Sequence, residues 1–141
     1  MLRTKEDPVR EILGSAMDSH PEETRQIIEE MTLIGVDIVY RMNAMGYSPD
    51  PSSGRPGKII IDPEASYSAW LHERRHAIDD KNSGWRGFRN LADPYTAARF
   101  ESSAYDEEIE FADRMGYYDV VERLKILKNN RIREVLGYEK D

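Results

Sequence analysis

Lys58-Ile59-Ile60-Ile61-Asp62-Pro63-Glu64, followed closely by Trp70-Leu71-His72-Glu73-Arg74-Arg75-His76, is the stretch on which the fold turns. Three consecutive isoleucines, β-branched and too few for a helix, predict a strand. Asp62-Pro63-Glu64 then has the form of a helix start: a capping acid, a proline in the first turn, and an acid that suits the positive end of the helix dipole. The helix beginning there is expected to reach about Asp80, before the glycine-punctuated loop 81–90.

Outward from this pair, residues 35–41 alternate apolar and polar side chains with β-branched emphasis, which predicts a second short strand near a sheet edge. Between the strands, GYSPDPSSGRPGK (46–58) is so rich in Gly, Pro, Ser and Asp that a loop with no regular element is expected. Toward the N-terminus, Val9, Ile12, Leu13 and Met17 recur at helical steps. Ser19-His20-Pro21-Glu22-Glu23 then opens another helix, capped by Ser19 or His20, with His20 at the surface and Gly35 at the end. Toward the C-terminus, Asp93-Pro94 opens a long helix ending at Met115, and Tyr118 begins a last one closed by Gly137. The expectation is an α+β chain, mostly helical, with a short sheet preceding the helix of His72 and His76, in one domain over 1–141. Trp70 and Trp85 are expected in its core.

Composition narrows the chemistry. A length of 141 residues suits one core, and 39% hydrophobic residues with two Trp, eight Tyr and three Phe exclude wholesale disorder. The absence of cysteine excludes disulfides, thiolate metal sites and a cysteine nucleophile. Any metal must bind through His, Asp or Glu. Twenty Lys and Arg against twenty-seven Asp and Glu leave a net charge of −7, which repels phosphate backbones and argues against a nucleic-acid partner. No apolar run is long enough for a membrane span, and MLRTKEDPVR lacks the apolar core of a secretory signal, so a cytoplasmic location is expected.

His72-Glu73-Arg74-Arg75-His76 is an H-E-x-x-H sequence inside the expected helix. A four-residue step turns about 400° and rises about 6 Å, so both imidazoles leave one helical face and can share one Zn²⁺. Glu73, one residue round, sits beside the ion and can move a proton from its water to a leaving amine. A catalytic zinc needs a third protein ligand, and no third histidine follows: Asp79 and Asn82 stand where the extended motif would have its glycine and last histidine.

A downstream carboxylate remains. On the helix opened by Asp93-Pro94, six acids occur, and only Glu101 and Glu108 fall in the apolar arc, where a lone carboxylate is costly unless paired or bound to a cation. Glu101 is read as the third ligand. Glu108, about 10 Å further along the axis, is too far to share the ion, and is read as a support to the ligands or an ion-pair partner of Arg74 or Arg75.

An H-E-x-x-H helix preceded by a strand, then a helix with E-x-x-A-Y, resembles the gluzincin branch of the zincin metallopeptidases in minimal form. GRPGKIIIDP, WLHERRHAIDD, GWRG, LADP and ESSAYDEEI are more closely similar to the small zincin-like domains of bacterial polymorphic toxins and phage head-morphogenesis proteins, over about 35–137. The resemblance implies a zincin-like fold, one Zn²⁺ held by His72, His76 and Glu101, and Glu73 as acid/base of an endopeptidase acting on protein or peptide. Delivery within a phage or toxin particle accords with it. So does a second function, a non-catalytic interaction or virion-assembly module. Larger gluzincins often carry an aspartate four residues after the ligand glutamate to orient a ligand histidine. Here Tyr105 occupies that position, which leaves the orienting role to Asp79, Asp80 or Asp106. Tyr95, Tyr105, Tyr117 and Tyr118 are candidates to stabilise an oxyanion. Strand 58–62 is expected to border the cleft with an open edge to which a substrate adds in extended form.

Overall fold

The computed structural model describes residues 6–137. Helices α1 (Arg10–Leu13), α2 (Ala16–Ser19) and α3 (Pro21–Leu33) lead into strands β1 (Asp37–Tyr40), β2 (Met45–Ser48) and β3 (Lys58–Ile61). Helices α4 (Tyr67–Asn82), α5 (Phe88–Ala92), α6 (Pro94–Arg114) and α7 (Tyr118–Val135) complete the chain, a mostly helical α+β arrangement with a small sheet. Among the described residues, no helix is long and apolar enough to cross a membrane.

The sheet order is β1-β3-β2, with β1 parallel and β2 antiparallel to β3. Two expectations are corrected here. The stretch read as structureless contains β2, because Met45-Gly46-Tyr47-Ser48 pairs through its backbone with β3 and owes little to side-chain propensity. And β3 is the central strand, so both its edges are occupied and no substrate can add to it. Ile59 and Ile61 turn one sheet face into a core with Met31 of α3 and Ala69, Trp70 and Ala77 of α4. The pleat puts Lys58 and Ile60 on the opposite face.

Helix α4 starts later than Asp62-Pro63-Glu64 suggests. The Asp62 carboxylate is already committed, accepting from the backbone N–H of Asn43 at 2.7 Å and of Glu64 at 2.8 Å. Ser66 caps instead, its hydroxyl oxygen accepting from Ala69 N. Asp7 secures that cap by accepting from Ser66 N at 2.8 Å and Ser66 Oγ at 2.6 Å.

Burial works against Asp62 ionisation, but the two backbone donors and Arg10 outweigh it and hold this carboxyl below the usual range. A pKa lower in the folded state means that ionised Asp62 stabilises the fold above its unfolded value of about 3.9, and that this contribution fades as pH falls through the folded value. Urea midpoints measured downward from pH 5 should therefore fall, and Asp62→Asn should start from a lower plateau and show a shallower decline. An unchanged slope in the variant would assign acid sensitivity to other groups.

Three smaller differences concern the flanks. Residues 9–17 form two short helices, because Gly14 adopts φ +73° and breaks the run. The loop 81–90 contains the start of α5. His20 makes no side-chain cap and is no surface bystander: its ring stacks on Tyr67 at 4.6 Å and meets Phe111 edge-on. The long C-terminal helices follow their punctuation, with Asp93 capping α6 and Gly116 separating it from α7. They enclose a second core of Tyr105, Phe111, Ala112, Val121 and Leu124. Trp70 is buried as expected, and Trp85 packs half-buried against the sheet-side core.

Candidate metal centre

Helix α4 stands between the two cores, so a helix that is polar by composition is buried along much of its length. His72 and His76 project toward α6 with ring centroids 5.0 Å apart. From the N-terminal half of α6, Glu101 brings Oε1 to 3.3 Å from His76 Nε2 and Oε2 to 4.0 Å from His72 Nε2. A tetrahedral zinc with bonds of about 2.0–2.1 Å separates its ligand atoms by roughly 3.3–3.4 Å, a spacing that the Glu101–His76 contact matches and the Glu101–His72 contact exceeds.

His76 Nε2 is buried and makes no hydrogen bond among the described residues. Such an atom is costly to leave without a partner, and an ion would provide one. Two imidazoles and a carboxylate are a donor set suited to zinc. His72, Glu73 and His76 form a group that can hold a metal ion, each offering one atom within 4.8 Å of the others.

Around this centre, Glu108 takes a role other than pairing with arginine. Its Oε2 lies 2.9 Å from His72 Nδ1 and its Oε1 accepts from Ser68 Oγ at 2.8 Å. A carboxylate at Nδ1 favours the proton on that nitrogen and leaves the lone pair on Nε2, the atom facing Glu101. The arginines go elsewhere: Arg74 forms a fork on Glu30, and Arg75 meets Asp79 at 3.1 Å and Glu107 at 3.6 Å. The Arg74 hydrogen bond holds the Glu30 carboxyl below its usual range.

None of the aspartates proposed to orient a ligand histidine is seen to do so. Asp79 faces Arg75, and Asp106 pairs with Lys128. Asp80 closes a clasp: Oδ2 accepts from the Tyr47 hydroxyl at 2.5 Å, Oδ1 accepts from Gly87 N at 2.9 Å, and the Tyr47 oxygen accepts from Gly57 N at 2.9 Å. Burial first, and then Asp80, push the Tyr47 hydroxyl well above its ordinary pKa, so it stays a donor. A Cβ on Gly57 would overlap the Ser48 carbonyl oxygen and stand 2.6 Å from the Tyr47 oxygen, which is why glycine fits there. Tyr105 lies edge-on to His72 at 4.7 Å, and burial, with Glu108 and Glu101 adding to it, raises its pKa too.

A cavity of about 400 Å³ adjoins the centre, with His76 and Glu101 in its lining. Its walls are β2 and the outer face of β3 on one side, and residues of α5, α6 and α7 on the other. His72 and Glu73 are 2% and 1% exposed and are not among the lining residues. Nor are Tyr95, Tyr105, Tyr117 and Tyr118, the expected oxyanion donors: Tyr95 and Tyr118 face solvent, while Tyr105 and Tyr117 pack in the α6–α7 core. The lining instead includes Arg131 of α7, whose Nε is 3.7 Å from Glu101 Oε2. The sequence carries a signal for Arg131 as well. This residue falls four residues after Leu127 and seven after Leu124, on the apolar stripe of α7, where a cation is as conspicuous as Glu101 is on α6.

No protein-family model, curated protein or solved structure matches the chain.

Proposed function

We propose that this protein is a small zinc-dependent endopeptidase of zincin type, with His72, His76 and Glu101 holding one ion and Glu73 as acid/base. The observation that carries the reading is the meeting of Glu101 with both imidazoles, across two helices, beside a cavity. Bound there, zinc would supply Lewis-acid polarisation of water and of the scissile carbonyl. Glu73 accepts a proton from the attacking water on a carboxylate oxygen, while the water oxygen bonds to the carbonyl carbon. The proton then passes to the amide nitrogen as the C–N bond breaks, so one water is consumed and one carboxylic acid and one amine are released. Glu108 keeps His72 in the required tautomer. β2, an edge strand whose residues line the cavity, replaces β3 as the strand to which an extended peptide adds.

A second reading, a zincin-fold binding or assembly module, is favoured by the depth of Glu73, which is buried and outside the cavity lining. A cleavage-site survey on a denatured proteome, with zinc-loaded protein and with chelator, separates the two. New N-termini that vanish with chelator are expected. Their absence from the zinc-loaded sample would overturn the peptidase and favour the module.

A further inference from the structure

We infer that the cavity beside the metal centre selects substrates bearing a carboxylate next to the scissile bond, and that Arg131 is the residue that binds it. The inference rests on the peptidase reading for the word substrate, though the anion site itself does not. Arg131 leaves α7 on its apolar stripe, its side chain 31% exposed, with Nε buried and making no hydrogen bond among the described residues. Glu134 holds one terminal nitrogen at 3.2 Å and Glu101 faces Nε at 3.7 Å. These contacts aim the planar fork while part of it remains open to the cavity.

The charge balance gives the sign of the ligand. The chain carries −7, yet Arg41, Lys58 and Arg131 all line this one cavity. Arg41 and Lys58 are exposed on the sheet wall and form no ion pair among the described residues. The lining acids are Asp80 and Glu101. Both Asp80 oxygens accept hydrogen bonds within the clasp, and Glu101 faces the two imidazoles. When Glu101 coordinates a cation its charge is shared with that ion, and Arg131 keeps only Glu134, on one terminal nitrogen, as a neutralising partner among the described residues, so its field toward the cavity strengthens.

Ile60, Ala97, Phe100 and Val135 line the same space, and their low polarity strengthens a charge-assisted hydrogen bond formed among them. Arg131 lies one carboxylate away from the ligand nitrogens, and a peptide advances about 3.3–3.6 Å per residue. The bound carboxylate therefore belongs to the residue adjoining the cleaved bond, either as an Asp or Glu side chain, which suits the endopeptidase proposed above, or as a free C-terminus, which would make the enzyme a carboxypeptidase instead.

Fluorescence anisotropy with labelled octapeptides of one parent sequence tests this. One peptide has a central Glu and an amidated C-terminus, a second has the scissile-site residue last with a free carboxylate, and a third has Gln and an amide. Binding is measured to the wild type in chelator and to zinc-loaded Glu73→Gln, which holds peptide without turnover. At least one carboxylate peptide should bind about tenfold or more tightly than the third. Which of the first two leads identifies the source. Arg131→Gln should remove the preference while leaving the neutral peptide within about twofold, and Arg131→Lys should restore only part of it. Equal binding of all three peptides to the zinc-loaded protein would overturn the inference whatever the fold of the variants, as would a preference that persists in folded Arg131→Gln. Preference without any cleavage by the zinc-loaded wild type would leave the anion site standing and remove the peptidase.

Discussion

Under the proposed mechanism, Glu73→Gln should lower peptide hydrolysis by about 10²–10⁴-fold with zinc content unchanged. The side chain is buried, and its carboxylate lies within 4.8 Å of a ring nitrogen on each histidine, close enough to exchange a proton with water on an ion held there. Glutamine keeps the volume and much of the hydrogen bonding but cannot take the proton. The measurement pairs rates on a peptide substrate with metal analysis and a thermal melt. Parental rates in the variant would refute the mechanism. Loss of zinc along with activity would not separate a missing base from a missing metal.

Removal of the proposed ligands should follow a graded order. Glu101→Ala takes away the carboxylate facing both imidazoles and should cost the most in zinc affinity. The sequence alone suggests that Glu108→Ala would leave affinity intact, but its contact with His72 Nδ1 changes that expectation to a loss of about 10–100-fold. Glu108→Gln, still able to accept at Nδ1, should lose less. Competition with a chromophoric chelator gives the ranking. A larger loss for Glu108→Ala than for Glu101→Ala would move the ion away from Glu101.

The parts of this arrangement legible in the sequence are those written in local chemistry. Asp93-Pro94 and Gly116 delimit α6 because a cap, a fixed φ and a positive φ are properties of single residues. Glu101 and Glu108 could be picked out on α6 because helical periodicity shows which face is apolar. What each one touches could not be read this way. It depends on the register of α6 against α4, a tertiary property, and that register gives Glu108 to His72 and Ser68 instead of to an arginine. β2 was hidden for a similar reason: Gly46 and Ser48 have little strand propensity, and the pairing with β3 supplies what they lack. Asp62 misled because a capping acid and an acid that closes a turn look alike until its Asn43 partner is known.

The order of the sheet also bears on how the chain reaches its native state. β1 and β2 are neighbours in sequence but share no ladder, so they cannot form a hairpin that precedes β3. β2 and β3 can, across the nine residues of 49–57, whereas β1 must close seventeen, 41–57, to reach the same strand. Doubling a loop costs only about 0.6 kcal/mol, but the shorter closure also forms within one contiguous segment and gains the Tyr47–Gly57 hydrogen bond inside it. Nucleation is therefore expected on the 45–61 hairpin, with β1 docking after the barrier. In stopped-flow kinetics, Ile60→Val should slow refolding, whereas Val39→Ala, on β1, should mainly speed unfolding. The opposite partition would place the parallel pair first, and with it the longer loop closure in the rate-limiting step.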